Sequence, residues 1–181
     1  MRCYLSILLF LLLLAPAKAQ PKYEVRAAWV TAVYGLDWPR TKATTPTAIR
    51  RQQEELTDIL DKLKAANFNT ILFQTRTRGD VLYHSSIEPY NSILTGKVDG
   101  DPGYDPLAFA VRECHKRGME CHAWMVAIPL GNKKHVASLG NKSVTKQRKE
   151  ICIPYKNEYF LNPGHPSTKE YLMKLVREVV T

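Results

Sequence analysis

Three apolar runs, each followed by an amphipathic helix in the order βαβαβα, predict an α/β fold. The connections sharpen this. Helix-to-strand links are short, about residues 67–69 and 118–119, and strand-to-helix links are long, about 34–45, 76–104 and 127–165. Such an alternation builds a parallel sheet with right-handed crossovers. Three expanded loops on one rim mark the ligand side of α/β barrels and open α/β sheets. Eight units need about 250 residues. Three units therefore predict the N-terminal part of a (β/α)8 TIM barrel, stopping before strand four.

The first element is an address. Arg2 supplies a positive start, residues 5–15 are apolar except for Ser6, and Ala17-Lys18-Ala19 offers a small-x-small cleavage site. The run is too short to span a bilayer. Residues 1–19 are therefore expected to be a signal peptide cut after Ala19, which sends the protein to the periplasm or the medium. No second apolar stretch follows, so stable membrane insertion is not expected. Residues 20–181 remain as one domain, 162 residues long.

Within that domain, residues 25–33 are apolar at most positions and suit a buried parallel strand. Thr45-Pro46 opens a helix with Pro in its first turn, and Ile49, Leu56, Ile59, Leu60 and Leu63 share one face. Residues 70–75 read as strand two. Asp105-Pro106 caps a helix with Leu107, Val111 and Cys114 on its apolar face, and Gly118 ends it. Residues 120–126 are strand three. Ser167-x-x-Glu170 has the form of a capping box for a last helix, buried through Leu172, Leu175, Val176 and Val179.

Charge and cysteines narrow the function. The formal charge is +9, and loss of Arg2 and Lys18 leaves +7, much of it at residues 133–135 and 142–149. A basic face attracts acidic glycans, anionic lipid or nucleic acid, though most such clusters are solvated surface. No zinc-finger spacing, RNP-like strand or basic heptad helix points to nucleic acid. Three cysteines follow the leader, Cys114, Cys121 and Cys152. An odd count argues against a full disulfide framework, leaving one possible bridge, Cys114–Cys121, or idle thiols. His84, His115, His122, His135 and His165 are scattered with no metal-ligand spacing, and no phosphate-cradling Gly loop or dinucleotide fingerprint is present. No metal or cofactor is expected.

The rim is polar and aromatic. Strand one offers Arg26 and Trp29, then Tyr34, Asp37 and Trp38; strand two offers Gln74, Arg76, Arg78, Asp80 and Tyr83; strand three offers His122 and Trp124. Aromatic faces beside Gln, Arg, His and carboxylates suit a sugar, whose rings stack on apolar faces and whose hydroxyls bond polar groups. The expected substrate-binding set is Arg26, Trp29, Gln74, Arg76, Asp80, Tyr83, His122 and Trp124. Trp29 and Trp124 could instead be core, and Arg76–Asp80 could be an ion pair holding the second loop. Glycoside hydrolysis uses two carboxyl groups about 5–5.5 Å apart or wider. Asp37 and Asp80 do not make a convincing pair, so the catalytic acids are expected downstream of Thr181.

At these residues the chain resembles the glycosyl-hydrolase-like 10 family of exported bacterial βα-barrel proteins. The matching stretches include Glu24-Val25-Arg26-Ala27-Ala28-Trp29, Asn69-Thr70-Ile71-Leu72-Phe73-Gln74-Thr75-Arg76 and Gly79-Asp80-Val81-Leu82-Tyr83-His84-Ser85. Leu94-Thr95-Gly96, Gly103-Tyr104-Asp105-Pro106-Leu107, His115-Lys116-Arg117-Gly118, His122-Ala123-Trp124 and Leu161-Asn162-Pro163-Gly164 follow in order. Thr77, Tyr90 and Asn162 depart from residues frequent in the family, and Val126-Ala127 stands where Asn-Pro is usual, removing a polar rim group. The resemblance implies an exported glycoside hydrolase acting on a polysaccharide or cell-wall glycan, with an acid-rich fourth strand beyond Thr181. The alternative is a glycan-binding barrel without catalysis.

Overall fold

The computed structural model describes residues 23–181. The predicted leader, residues 1–19, lies outside them. Strands β1 (Ala27–Val30), β2 (Thr70–Arg76) and β3 (Glu120–Met125) form one parallel sheet in that order. Helices α1 (Pro46–Ala65) and α2 (Pro106–Lys116) connect them, and α5 (Pro166–Val180) closes the described chain. Between β3 and α5 lie β4 (Pro129–Asn132), α3 (Lys133–Ser138), α4 (Val144–Gln147), β5 (Cys152–Tyr155) and β6 (Glu158–Leu161).

The helix starts follow local chemistry. Thr45 and Asp105 each accept a bond from the backbone N–H three residues on, at 3.2 and 2.9 Å, with Pro at the next position. At α5 the expected capping box does not form. His165 is the cap, its Nδ1 accepting from Ser167 N–H at 3.2 Å, because Pro166 occupies the first helical position and puts Ser167 inside the helix. The buried face of α5 is correspondingly Thr168, Tyr171 and Leu175, and Val176 is exposed.

Alternation along β2 sorts the sheet into two faces. Ile71 and Phe73 are buried against Leu56 and Leu60 of α1 and Phe109, Ala110 and Cys114 of α2. The opposite face carries Trp29, Leu72, Gln74, His122 and Trp124, aligned by the register pairs Trp29↔Leu72↔His122 and Gln74↔Trp124. The expectation that β1 is buried on both sides fails: Trp29 is 59% exposed and, within β1, Val30 alone is buried. β1 is an edge strand, and no second layer covers its open face among the described residues.

The largest departure is in residues 127–165, expected as one long connection. They hold an antiparallel sheet, β4-β6-β5, with its own core of Leu130, Val136, Val144, Ile151 and Leu161, closed by Tyr171 and Leu175 of α5. The strands are four residues long. The β5–β6 hairpin turns through Lys156 at φ 52° without a glycine, so neither periodicity nor turn chemistry announces it.

Candidate functional site

Buried polar side chains hold the two long loops after β1 and β2 in place. Gln74, on β2, accepts through Oε1 from Thr31 Oγ1 and Ala32 N–H, both at 2.8 Å, and from Val33 N–H at 3.1 Å. The first loop is thereby pinned where it leaves β1. Asp37 reinforces the same turn by accepting from Thr31 N–H at 2.8 Å. Gln52 of α1 joins the first and second loops: its Nε2 donates to Thr41 O at 2.6 Å and Leu94 O at 2.9 Å, and its Oε1 accepts from Tyr104 at 2.7 Å.

Arg76 ends β2 as part of a dry network. Its guanidinium makes a two-point bond with Glu88, both contacts 2.7 Å, and neither side chain touches solvent. Arg76 also donates to the carbonyls of Val126 and Ala127, and Tyr171 of α5 donates to Glu88 at 2.6 Å. Burial opposes the guanidinium charge, but Glu88 outweighs it and the pKa is raised. The alternative weighed for Arg76, an ion pair with Asp80, is not the pair that forms: Arg76 pairs with Glu88 and supports the rim from beneath. Asp80 is likewise buried. It accepts from Thr77 Oγ1 and from Arg78 N–H at 3.2 Å, turning the chain after β2, and its Oδ2 lies 3.5 Å from His135 Nε2. Tyr83 is core, its hydroxyl 3.5 Å from Glu178 of α5.

Above this scaffold is a cleft of about 400 Å³ at the strand C-termini, walled by Tyr34 and Lys42 from the first loop, Arg78 and Asn91 from the second, and Asn132 and His135 from the third. All three strand-to-helix connections contribute. The lining includes Lys42, Arg78 and His135 and no carboxylate. Partial burial lowers the Lys42 pKa, and its Nζ donates to Ile93 O at 2.7 Å. Asn132 caps α3 by accepting from His135 N–H at 2.8 Å. His135 Nε2 sits 3.0 Å from Arg78 O, which in the neutral ring places the hydrogen on Nε2 and leaves Nδ1 as an acceptor. Gly131 makes this approach possible, since a Cβ there would lie 2.7 Å from His135 Cδ2.

The remaining expected residues divide by position. Trp29 and Trp124 meet edge to face, ring centres 4.6 Å apart, on the open face of the sheet. His122 is on that face but lower, near the start of β3, more than half exposed and 2.9 Å from Glu120. Arg26 is at the opposite end from the cleft: it precedes β1, pairs with Glu24 at 2.8 Å and donates to Asn67 O in the α1–β2 turn. Its assignment to the rim is corrected, because a residue before a parallel strand belongs to the other end of the sheet. Sequence reasoning passed over Lys42, Asn91 and Asn132, and it noted His135 as one of the scattered histidines. Their common signal is membership of the three long loops; their meeting depends on the β4-β6-β5 sheet.

The chain is 32% identical over 165 residues to Glycosyl hydrolase YngK of Bacillus subtilis (strain 168), covering 91% of this chain and 32% of that protein. It is 32% identical over 180 residues to Glycosyl hydrolase DigH of Escherichia coli (strain K12), covering 92% of this chain and 41% of that protein. The chain thus spans less than half the length of these relatives. Among solved structures, a maltogenic alpha-amylase, AmyB, from Thermotoga neapolitana shares the fold over 85% of this chain and 35% of its own, with TM-score 0.52 and 14% identity. The Glycosyl hydrolase-like 10 family model matches residues 24–181, and the chain belongs to that family.

Proposed function

We propose that this chain is the opening part of an exported glycoside hydrolase with a (β/α)8 barrel, acting on a polysaccharide or cell-wall glycan. The observation that carries the reading is the rim cleft, to which every strand-to-helix connection contributes. Tyr34, 80% exposed, offers a ring face to a sugar, and Trp29 and Trp124 offer two more on the adjoining open face. Lys42, Arg78 and His135, with no lining carboxylate, favour a glycan bearing acidic groups. Gln74, Arg76, Asp80 and Tyr83 act beneath the cleft by holding its loops.

Hydrolysis requires a proton donor and a nucleophile or base. Asp80 is enclosed by Thr77 and Arg78, and Asp37 is engaged by the Thr31 backbone. The catalytic carboxylates therefore come from barrel strands beyond β3. The test is release of reducing ends by the full-length gene product from a panel of neutral and acidic glycans. Release from an acidic amino-sugar polymer supports the reading; neither binding nor release on any glycan contradicts it. Binding without release favours a lectin-like barrel. That second reading draws on Val126 and Ala127, whose carbonyls serve Arg76 and whose side chains offer substrate no polar group. Export is tested by mass spectrometry of the mature protein, expected to begin at Gln20; retention of Met1 contradicts it.

A further inference from the structure

The C-terminal end of α2 folds back on β3 through a tight reversal. Met119 N–H donates to Cys114 O at 3.0 Å and Gly118 N–H to His115 O at 2.9 Å, with Gly118 at φ 61°. This is the paired-bond helix ending in which a left-handed residue turns the chain sharply. The strand that emerges runs back under the last helical turn. Cys121 is in register with Ile71, whose side chain faces the helices, and it packs against the core cluster that contains Cys114. The two thiols interact with each other inside this core, and both are free. Cys114 is fully buried and Cys121 is partly accessible; Cys152 belongs to the second core.

We propose that Cys114 and Cys121 are a dithiol site that closes to an intrachain disulfide, stapling α2 to β3. The oxidant is a small-molecule or protein disulfide, of the kind a protein meets outside the cytoplasm. Cys121, the accessible sulfur, attacks it first, forms a mixed disulfide and releases one thiol. Cys114 then attacks the Cys121 sulfur, the new S–S bond forms, and the second thiol leaves. One external disulfide is reduced to two thiols, and the two protein thiols lose two protons and two electrons. Cys121 and the nearby Arg117 lower the Cys114 pKa, while Cys114 and burial raise that of Cys121; accessibility, not acidity, therefore makes Cys121 the first attacker, and Cys114 is the better resolving thiolate.

The test is equilibration of the full-length protein with reduced and oxidised glutathione, acid quenching, alkylation and a non-reducing tryptic map. Cleavage after Lys116 and Arg117 separates the two cysteines. Oxidising mixtures should yield a linked pair of peptides, 113–116 joined to 118–133, and a higher melting midpoint than the reduced protein. In Cys114→Ser, Cys121 should instead accumulate as the glutathione mixed disulfide. Two alkylated thiols at the oxidising end, or a link from either cysteine to Cys152, overturns the proposal.

Discussion

Glu88 and Arg76 show how a charge at a strand end can be structural. Neither touches solvent, and each is the other's counter-charge. Removing one partner leaves an uncompensated buried ion, so Glu88→Gln is expected to cost about 3–5 kcal/mol. Replacing both by apolar residues of similar volume, Arg76→Met with Glu88→Leu, should cost clearly less; urea unfolding of the single and double variants measures the difference. A single-variant cost no larger than the double's would contradict this view of the pair. Gly131 is the second sensitive position. It adopts φ 92°, and a methyl group would collide with the His135 ring. Gly131→Ala should destabilise by about 1–2 kcal/mol from backbone conformation alone. It should also displace His135, visible as a shifted imidazole resonance. From sequence, Arg76 was legible as a charged residue after an apolar run. Glu88 was not legible as its partner, because it lies twelve positions further along, across irregular loop. Trp29 and Trp124 were legible as strand aromatics, but not as a pair, because their meeting on one face depends on the register of three strands.

The helices carry their boundaries in short-range chemistry. Thr45 and Asp105 caps, with Pro after each, could be read directly, and Thr45→Ala should cost about 1 kcal/mol, checked by thermal unfolding. The α5 start shows the limit of such signatures: Ser167-x-x-Glu170 satisfies the pattern, yet Pro166 places the boundary one residue earlier and His165 does the capping. Strands β4, β5 and β6 were not legible, because strands of four residues, with Pro in both β4 and β5, carry almost no periodic signal. Between α1 and α2, Arg117 bonds Asp61 at 2.6 Å and Glu113 at 3.0 Å. Hydrogen bonds from Lys116 and Arg117 lower the Glu113 pKa, and the Arg117 bond lowers that of Asp61. A carboxylate with a depressed folded pKa stabilises the fold above its ordinary value and loses that contribution as pH falls through the folded value. Melting midpoints should therefore drop on acidification below the ordinary carboxylate range, and drop less in Arg117→Ala. Equal acid sensitivity in both would remove this clamp from the account.

At the scale of the molecule, the ordering of short returns and long outward loops brings all three long connections to one end of the sheet, where they wall the cleft. The residues that wall the cleft were harder to foresee. His135 and Asn132 reach it because a small antiparallel sheet folds the third loop back over the second, a tertiary event with no local signature. Arg26 went the other way: three residues before Trp29 in sequence, it lies at the far end of the sheet beside Asn67. These two arginines, Arg78 at the cleft and Arg26 opposite, separate the account from its competitors. The most direct measurement is calorimetric titration of the full-length protein with an acidic amino-sugar oligosaccharide, comparing Arg78→Ala and Arg26→Ala with the parent. Loss of a charge-assisted contact, worth about 1.5–3 kcal/mol, should weaken binding roughly tenfold or more in Arg78→Ala and leave Arg26→Ala unchanged. Unchanged affinity in Arg78→Ala together with a loss in Arg26→Ala would put the carbohydrate at the wrong end of the sheet and contradict the account.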